Sequence, residues 1–304
     1  MKRRIEKAVV LGAGTMGARI AAHFANAGVP VLLLDMVPSG LSSDAAVAER
    51  NKIVRAGLEA ATKSKPAAFF AASLAAQVAI GNFEDDLARC KDADWIIEVV
   101  AENLEIKKDL LSRVAQFRKT GAMVTTNTSG LPVHLIAEGM SEEFQQHWAG
   151  THFFNPPRYL KLVELIPGPK TSSEVLATLT EFCDRRLGKG VVVAKDTPNF
   201  IANRIGTFSI LNALRLMTKL GMTIEEVDAC TGPAIGQPSR LSASDQSLLR
   251  DYFQRRASLT EAAADALARE LAEALAARLH HDLAGERPGH FLARLAVQLA
   301  ERRP

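Results

Sequence analysis

Cysteine is scarce in this chain of 304 residues: there are 3, Cys90, Cys183 and Cys230, far apart and without a CxxC pair. An odd, dispersed set supports neither a disulfide framework nor a zinc site, so reduced, mostly buried thiols and no bound metal are expected. Net charge is scarce as well. The 37 lysines and arginines against 34 acids leave a formal +3, with the two signs interspersed, so nothing in the electrostatics addresses nucleic acid, although a polyanionic small ligand remains compatible. Also missing is any apolar run near the roughly 20 residues of a membrane span. The run that follows Met1-Lys2-Arg3-Arg4, Ala8 to Leu11, is too short for a secretory signal and leads straight into glycines. A cytoplasmic protein with no membrane contact is the expectation. What the chain does have is 47% hydrophobic and 23% charged residues, enough to bury a sizeable core in two domains.

Along the chain, Ala8–Leu11 is a short apolar run that meets Gly12, and helical periodicity follows from Thr15 to Ala27, stopping at Gly28. A second apolar run, Val31–Leu34, ends at Asp35, so the opening reads as strand, helix, strand. Residues 43–79 are alanine-rich and helical in pattern, with Pro66 expected to start a new helix. Strand candidates then recur at Trp95–Val99, Met123–Thr126, Trp148–Phe153, Leu162–Ile166 and Val191–Ala194, separated by helical stretches such as Leu104–Phe117 and Ser173–Arg186. Such alternation predicts an α/β fold, a Rossmann-type doubly wound sheet. From Pro198 onward only helical patterns remain, beginning with Phe200–Leu220, so a smaller all-helical C-terminal domain is expected. The boundary is placed near Thr197-Pro198, giving domains 1–197 and 198–304.

Gly12-Ala13-Gly14-Thr15-Met16-Gly17 fits GxGxxG between a strand and a helix. Its glycines permit a tight turn, close backbone approach to a pyrophosphate and close helix packing, and the helix N-terminus faces the phosphates with free N–H groups. Asp35, at the end of the second strand, is placed to bind a ribose 2′-hydroxyl and to repel a 2′-phosphate, which favours NAD over NADP. Oxidising an alcohol by hydride transfer also needs a base, and histidine suits that task near neutral pH when a carboxylate fixes its tautomer. His152 and Glu164 lie on consecutive strand candidates joined by Asn155-Pro-Pro-Arg158, where a reversal would set them side by side.

Five ordered motifs resemble the 3-hydroxyacyl-CoA dehydrogenase family: Gly12–Gly17, Glu98-Val-Val-Ala-Glu-Asn103, Asn127-Thr-Ser129, His152-Phe-Phe-Asn-Pro156 and Lys195-Asp-Thr-Pro-Asn-Phe-Ile-Ala-Asn-Arg204. The likeness covers about residues 5–238, and Pro157-Arg-Tyr-Leu-Lys-Leu162 is similar to bacterial members fused to an enoyl-CoA hydratase domain. It implies an NAD-dependent oxidation of the 3-hydroxyl of a (3S)-3-hydroxyacyl-CoA, as in fatty-acid β-oxidation. The resemblance makes His152 the base, Glu164 its orienting partner, and Ser129 and Asn203 hydrogen-bonding groups around the substrate oxygen and base. It brings Glu102, Lys107 and Asn155 to the nicotinamide-ribose end of NAD, and Ser129 and Asn155 to the acyl-CoA. Asn203 would carry a residue of the second domain into the cleft.

The resemblance ends near Ser239. Beyond it lysine vanishes, alanine, leucine and arginine dominate, and His280, His281 and His290 appear. The segment 239–304 reads as two or three amphipathic helices, with Ser258-Leu-Thr-Glu261 as a capping box and Leu267, Leu271, Leu275 and Leu279 as an apolar stripe. Two origins fit: a natural replacement of the family's helical domain, or a fusion or frameshift that leaves an NAD-binding protein with weak or no dehydrogenase activity. A family-type homodimer depends on which holds.

Overall fold

The computed structural model describes residues 4–224, 227, 241–256, 258–283 and 285–300. Cys230 lies outside them. The chain divides into two compact units, Met1–Arg204 and Ile205–Pro304.

The first unit is an eight-stranded sheet: β1 (Ala8–Leu11), β2 (Val31–Asp35), β3 (Val78–Asn82), β4 (Trp95–Glu98), β5 (Met123–Thr126), β6 (Trp148–Phe153), β7 (Leu162–Pro167) and β8 (Gly190–Val193). Their order in the sheet is β3-β2-β1-β4-β5-β6-β7-β8. Neighbours are parallel except β6 and β7, which run antiparallel. The helices are α1 (Thr15–Asn26), α2 (Val47–Arg50), α3 (Lys52–Thr62), α4 (Leu104–Phe117), α5 (Val133–Ile136), α6 (Glu142–Gln146) and α7 (Ser173–Arg185).

The continuous apolar character of β1, β2 and β4 follows from burial on both faces, since side chains alternate across a strand. Val10, Leu33 and Ile97 pack with Ile20 and Phe24 of α1 and Val54 of α3, whereas Val9, Leu32 and Ile96 pack with Leu110 and Val114 of α4. Helices therefore cover both faces, and the sheet is a Rossmann-type doubly wound one. The first face is anchored by Phe24, Trp95 and Phe182, whose ring centroids lie 5.1–5.8 Å apart.

Two expectations change. Residues 43–79 hold only the short helices α2 and α3, and Pro66 opens no α-helix; the segment 72–77 is a 3₁₀ helix. The segment also ends on β3, an edge strand hidden by its Ala79 and Gly81, which lack the β-branched signature of a strand.

Helix α8 (Ala202–Leu220) begins with the last residues of the first unit, so the expected boundary at Thr197-Pro198 falls inside that unit. The reason is local: the N–H groups of Ile201 and Ala202 donate to the buried carboxylate of Glu164, at 3.0 and 2.8 Å, which ties this stretch to the sheet.

In the second unit, helices Ala243–Arg256, Glu261–Leu279 and Pro288–Ala300 enclose a core of Leu249, Phe253, Leu275, Leu279, Phe291 and Leu295. Leu267 and Leu271 pack against it, so the leucine stripe faces this core. The cap is Thr260 rather than Ser258, because its hydroxyl accepts the Ala263 N–H and the helix starts at Glu261. No helix among the described residues is long and apolar enough to cross a membrane.

Candidate active site

The glycine-rich turn forms where β1 ends. Gly12, at φ +105°, donates its N–H to Leu34 O at 2.7 Å. A Cβ there would lie 2.5 Å from Val99 O, and one on Gly17 would lie 1.8 Å from Gly12 O, so strand exits and helix approach too closely for any side chain. Gly14 is the opposite case: a Cβ would meet nothing within 4 Å. An open cradle thus sits at the first turn of α1, where N–H groups lack helical partners. Ala13 is buried, Thr15 exposed and Met16 half-buried around it. Asp35 is half-buried; its Oδ2 accepts the Ala13 N–H at 2.6 Å and its Oδ1 the Met36 N–H at 2.7 Å. Open space, free donors and a flanking carboxylate fit a dinucleotide.

His152 and Glu164 are brought together by the antiparallel turn of β7. They pair directly in the register of β6 and β7, and His152 Nδ1 lies 2.8 Å from Glu164 Oε2. Both are buried, His152 at 4% exposure and Glu164 at 0%. Glu164 Oε1 takes the two N–H donors at the start of α8, so both carboxylate oxygens are engaged. The rings of Phe154 and Phe200 stand 4.4 and 5.7 Å from the imidazole, which fixes its plane and excludes water on those sides. One residue on, the Phe153 N–H donates to Asn127 Oδ1 at 2.9 Å, joining β6 to the loop after β5.

That loop, Asn127 to Leu131, carries Ser129, which is exposed. Asn203 belongs to the first unit, and its Nδ2 donates to Ser129 O at 3.4 Å. Glu102 also meets the loop: its Oε1 accepts the Thr128 hydroxyl at 2.5 Å, the Ser129 N–H at 2.9 Å and the Gly130 N–H at 3.1 Å. Burial alone would raise the Glu102 carboxyl, but these donors and the Lys107 ammonium hold it below its ordinary value. Lys107 is buried, its Nζ 2.7 Å from Glu98 Oε1 and 3.4 Å from Glu102 Oε2. Asn155 is exposed, and its Oδ1 accepts from Arg19 Nη1 at 2.6 Å.

Sequence reasoning missed several members of this arrangement. Glu98 is fully buried and also accepts the Val100 N–H at 2.7 Å and the Thr126 hydroxyl at 2.6 Å. An acid closing the apolar strand Trp95–Glu98 was the available signal. Arg19 was legible as a cation among small and apolar residues of α1. Lys189 carried no signal: its buried ammonium donates to Pro157 O and to Leu160 O, the latter at 2.8 Å, and so supports the turn after Asn155. Burial pulls that ammonium down to about 8.

A glycine cradle on a sheet ordered β3-β2-β1-β4-β5-β6, with an acid closing β2, defines a dinucleotide-binding domain of the Rossmann class. Residues 7–197 match the family model for the 3-hydroxyacyl-CoA dehydrogenase, NAD binding domain. The chain belongs to this 3-hydroxyacyl-CoA dehydrogenase family, and NAD is the cofactor of its first unit. It is 50% identical to a probable 3-hydroxyacyl-CoA dehydrogenase of Bacillus subtilis, over 78% of this chain and 31% of that protein. It is also 50% identical to one of Deinococcus radiodurans, over 78% of this chain and 66% of the relative. The chain therefore spans less than two thirds of either. Among solved structures, the 3-hydroxybutyryl-CoA dehydrogenase of Escherichia coli superimposes with a TM-score of 0.62 at 27% identity, covering 90% of this chain and 53% of that one.

Proposed function

We propose that this protein oxidises the 3-hydroxyl of a (3S)-3-hydroxyacyl-CoA thioester with NAD, as in fatty-acid β-oxidation. The observation that carries the reading is the buried His152–Glu164 pair at 2.8 Å, on the sheet edge where the cofactor cradle opens. Ligands in open α/β sheets bind beyond the carboxyl ends of the strands, and β1, β2, β4, β5 and β6 all present functional groups there.

The Nε2 of His152 takes the hydroxyl proton, while Nδ1–H donates to Glu164. The imidazolium that forms is stabilised by a carboxylate that two backbone N–H groups and a helix start hold in place. When bound, NAD accepts the hydride. Ser129 and Asn203, joined through the Ser129 carbonyl, hydrogen-bond around the substrate oxygen, and Asn155 lies where cofactor and acyl-CoA approach one another. Gly12, Ala13, Gly14, Thr15, Met16 and Gly17 receive the pyrophosphate, and Asp35 the adenosine ribose. Glu102 stands at the nicotinamide-ribose end of the cleft, and Lys107, whose ammonium is shared with Glu98, contributes there through Glu102. The small formal charge of +3 accommodates a polyanionic acyl-CoA, and the reaction is assigned to the cytoplasm.

The test is NADH oxidation by the purified protein with acetoacetyl-CoA, followed by nicotinamide absorbance. His152→Ala is expected to lose about 100- to 10,000-fold in rate while retaining NADH binding. An unchanged rate would refute the assignment of the base.

A further inference from the structure

We propose that Glu102 is the positioning residue for Ser129: its carboxylate fixes the Thr128–Gly130 turn in the form that presents Ser129 to the substrate oxygen. The inference rests on the reading of Ser129 as a substrate-oxygen donor. It adds to the place of Glu102 at the nicotinamide-ribose end a second role, as the support beneath that donor.

Three consecutive residues donate to one oxygen of Glu102, the Thr128 hydroxyl and the Ser129 and Gly130 N–H groups, all at 2.5–3.1 Å. Neither N–H belongs to a strand or helix, so without Glu102 both would turn to solvent and the turn would lose its common centre. Thr128 closes the turn from the other side, its Oγ1 accepting the Leu131 N–H at 3.1 Å. The support is itself braced. Lys107 lies 3.4 Å from the second oxygen of Glu102 and is held by Glu98, which also binds Thr126 at 2.6 Å. Both ends of the β5 loop are thus tied to the segment between β4 and α4. Asn203, at the start of α8, donates to Ser129 O, so both groups assigned to the substrate oxygen meet at the turn that Glu102 holds.

Four variants test this: Glu102→Ala, Glu102→Gln, Ser129→Ala and the Glu102→Ala/Ser129→Ala double. Amide hydrogen exchange at Ser129 and Gly130, measured without substrate, is expected to accelerate about tenfold or more in Glu102→Ala. Glu102→Gln, which keeps an accepting oxygen, should recover part of the protection. At saturating NADH, kcat in Glu102→Ala is expected to fall about tenfold or more. The double variant should be no slower than Ser129→Ala by more than about twofold, because a support adds nothing once the group it positions is gone. Unchanged exchange would overturn the proposal, as would additive losses in the double variant at saturating NADH. If the parent protein turns over no 3-hydroxyacyl-CoA, the proposed function falls, and the exchange arm alone decides whether Glu102 holds the turn. Should Glu102→Ala not fold, Glu102→Gln and Thr128→Ala are read by the same exchange measurement.

Discussion

Gly14→Ala separates binding from folding at the cofactor cradle. Gly14 has φ −63° and ψ −173°, an extended conformation open to any L residue, and an added Cβ meets no protein atom within 4 Å. The free protein should accept the methyl group at no cost, with a Tm within about 2 °C of the parent. The space it enters is the cradle where the backbone must meet a pyrophosphate. Overpacking there costs about 1–3 kcal/mol, and at 1.4 kcal/mol per tenfold the NADH Kd rises about 5- to 150-fold. Gly17→Ala is the counterpart. Its Cβ would stand 1.8 Å from Gly12 O, so the turn must open even without ligand, and Tm falls along with binding. The assay is NADH titration by fluorescence beside thermal unfolding of both variants. NADH affinity within twofold of the parent in Gly14→Ala, or an equal loss of Tm in both variants, would show that the dinucleotide does not lie where the cradle places it.

Two further predictions concern buried charge and titration. Burial, chiefly, and then the charge of Lys189 lower the pKa of His23 from 6.5 to about 4, so the folded state binds fewer protons than the unfolded one between those values and stability is lost as pH falls through them. Relative to His23→Gln, the parent should lose about 2 kcal/mol between pH 7.5 and pH 5; parallel denaturant midpoints at the two pH values would refute this. Lys107→Met strands the fully buried Glu98 without its cation and should destabilise the first unit by about 3–5 kcal/mol, read by denaturant unfolding. A loss under about 1 kcal/mol would mean that Thr126 and the Val100 N–H suffice for Glu98.

The parts of the fold that were legible in sequence are those set by neighbouring residues. The β1-α1-β2 opening is one, because its apolar runs, glycines and closing acid all lie within Ala8–Asp35. Strand β3 was not, since Ala79 and Gly81 continue the alanine-rich pattern before them and only pairing with β2 makes the segment a strand. The juxtaposition of His152 with Glu164 could be anticipated from a reversal at Asn155-Pro-Pro-Arg158 between two strand patterns, and the structure brings the two side chains into contact. The brace of Glu98, Lys107 and Thr126 draws on the end of β4, the first turn of α4 and the end of β5, so no local pattern announces it. In the second unit the leucine periodicity gave the packed face, whereas the cap shifted from Ser258 to Thr260 because the Ser258 hydroxyl donates back to Arg255 O at 2.7 Å, leaving Thr260 to accept the Ala263 N–H.

The antiparallel pairing of β6 with β7 also governs how this molecule assembles. Elsewhere the sheet is joined by crossovers, as where Ala8 of β1 pairs with Trp95 of β4, and closing such loops is entropically expensive. His152 and Glu164 are 12 residues apart and meet in a single hairpin. Their encounter is among the shortest-range events in the topology, needing neither the glycine turn nor α8 to be in place. The reactive pair is therefore a contiguous cassette, whose register is written into one reversal of the chain, and the rest of the protein is assembled around it.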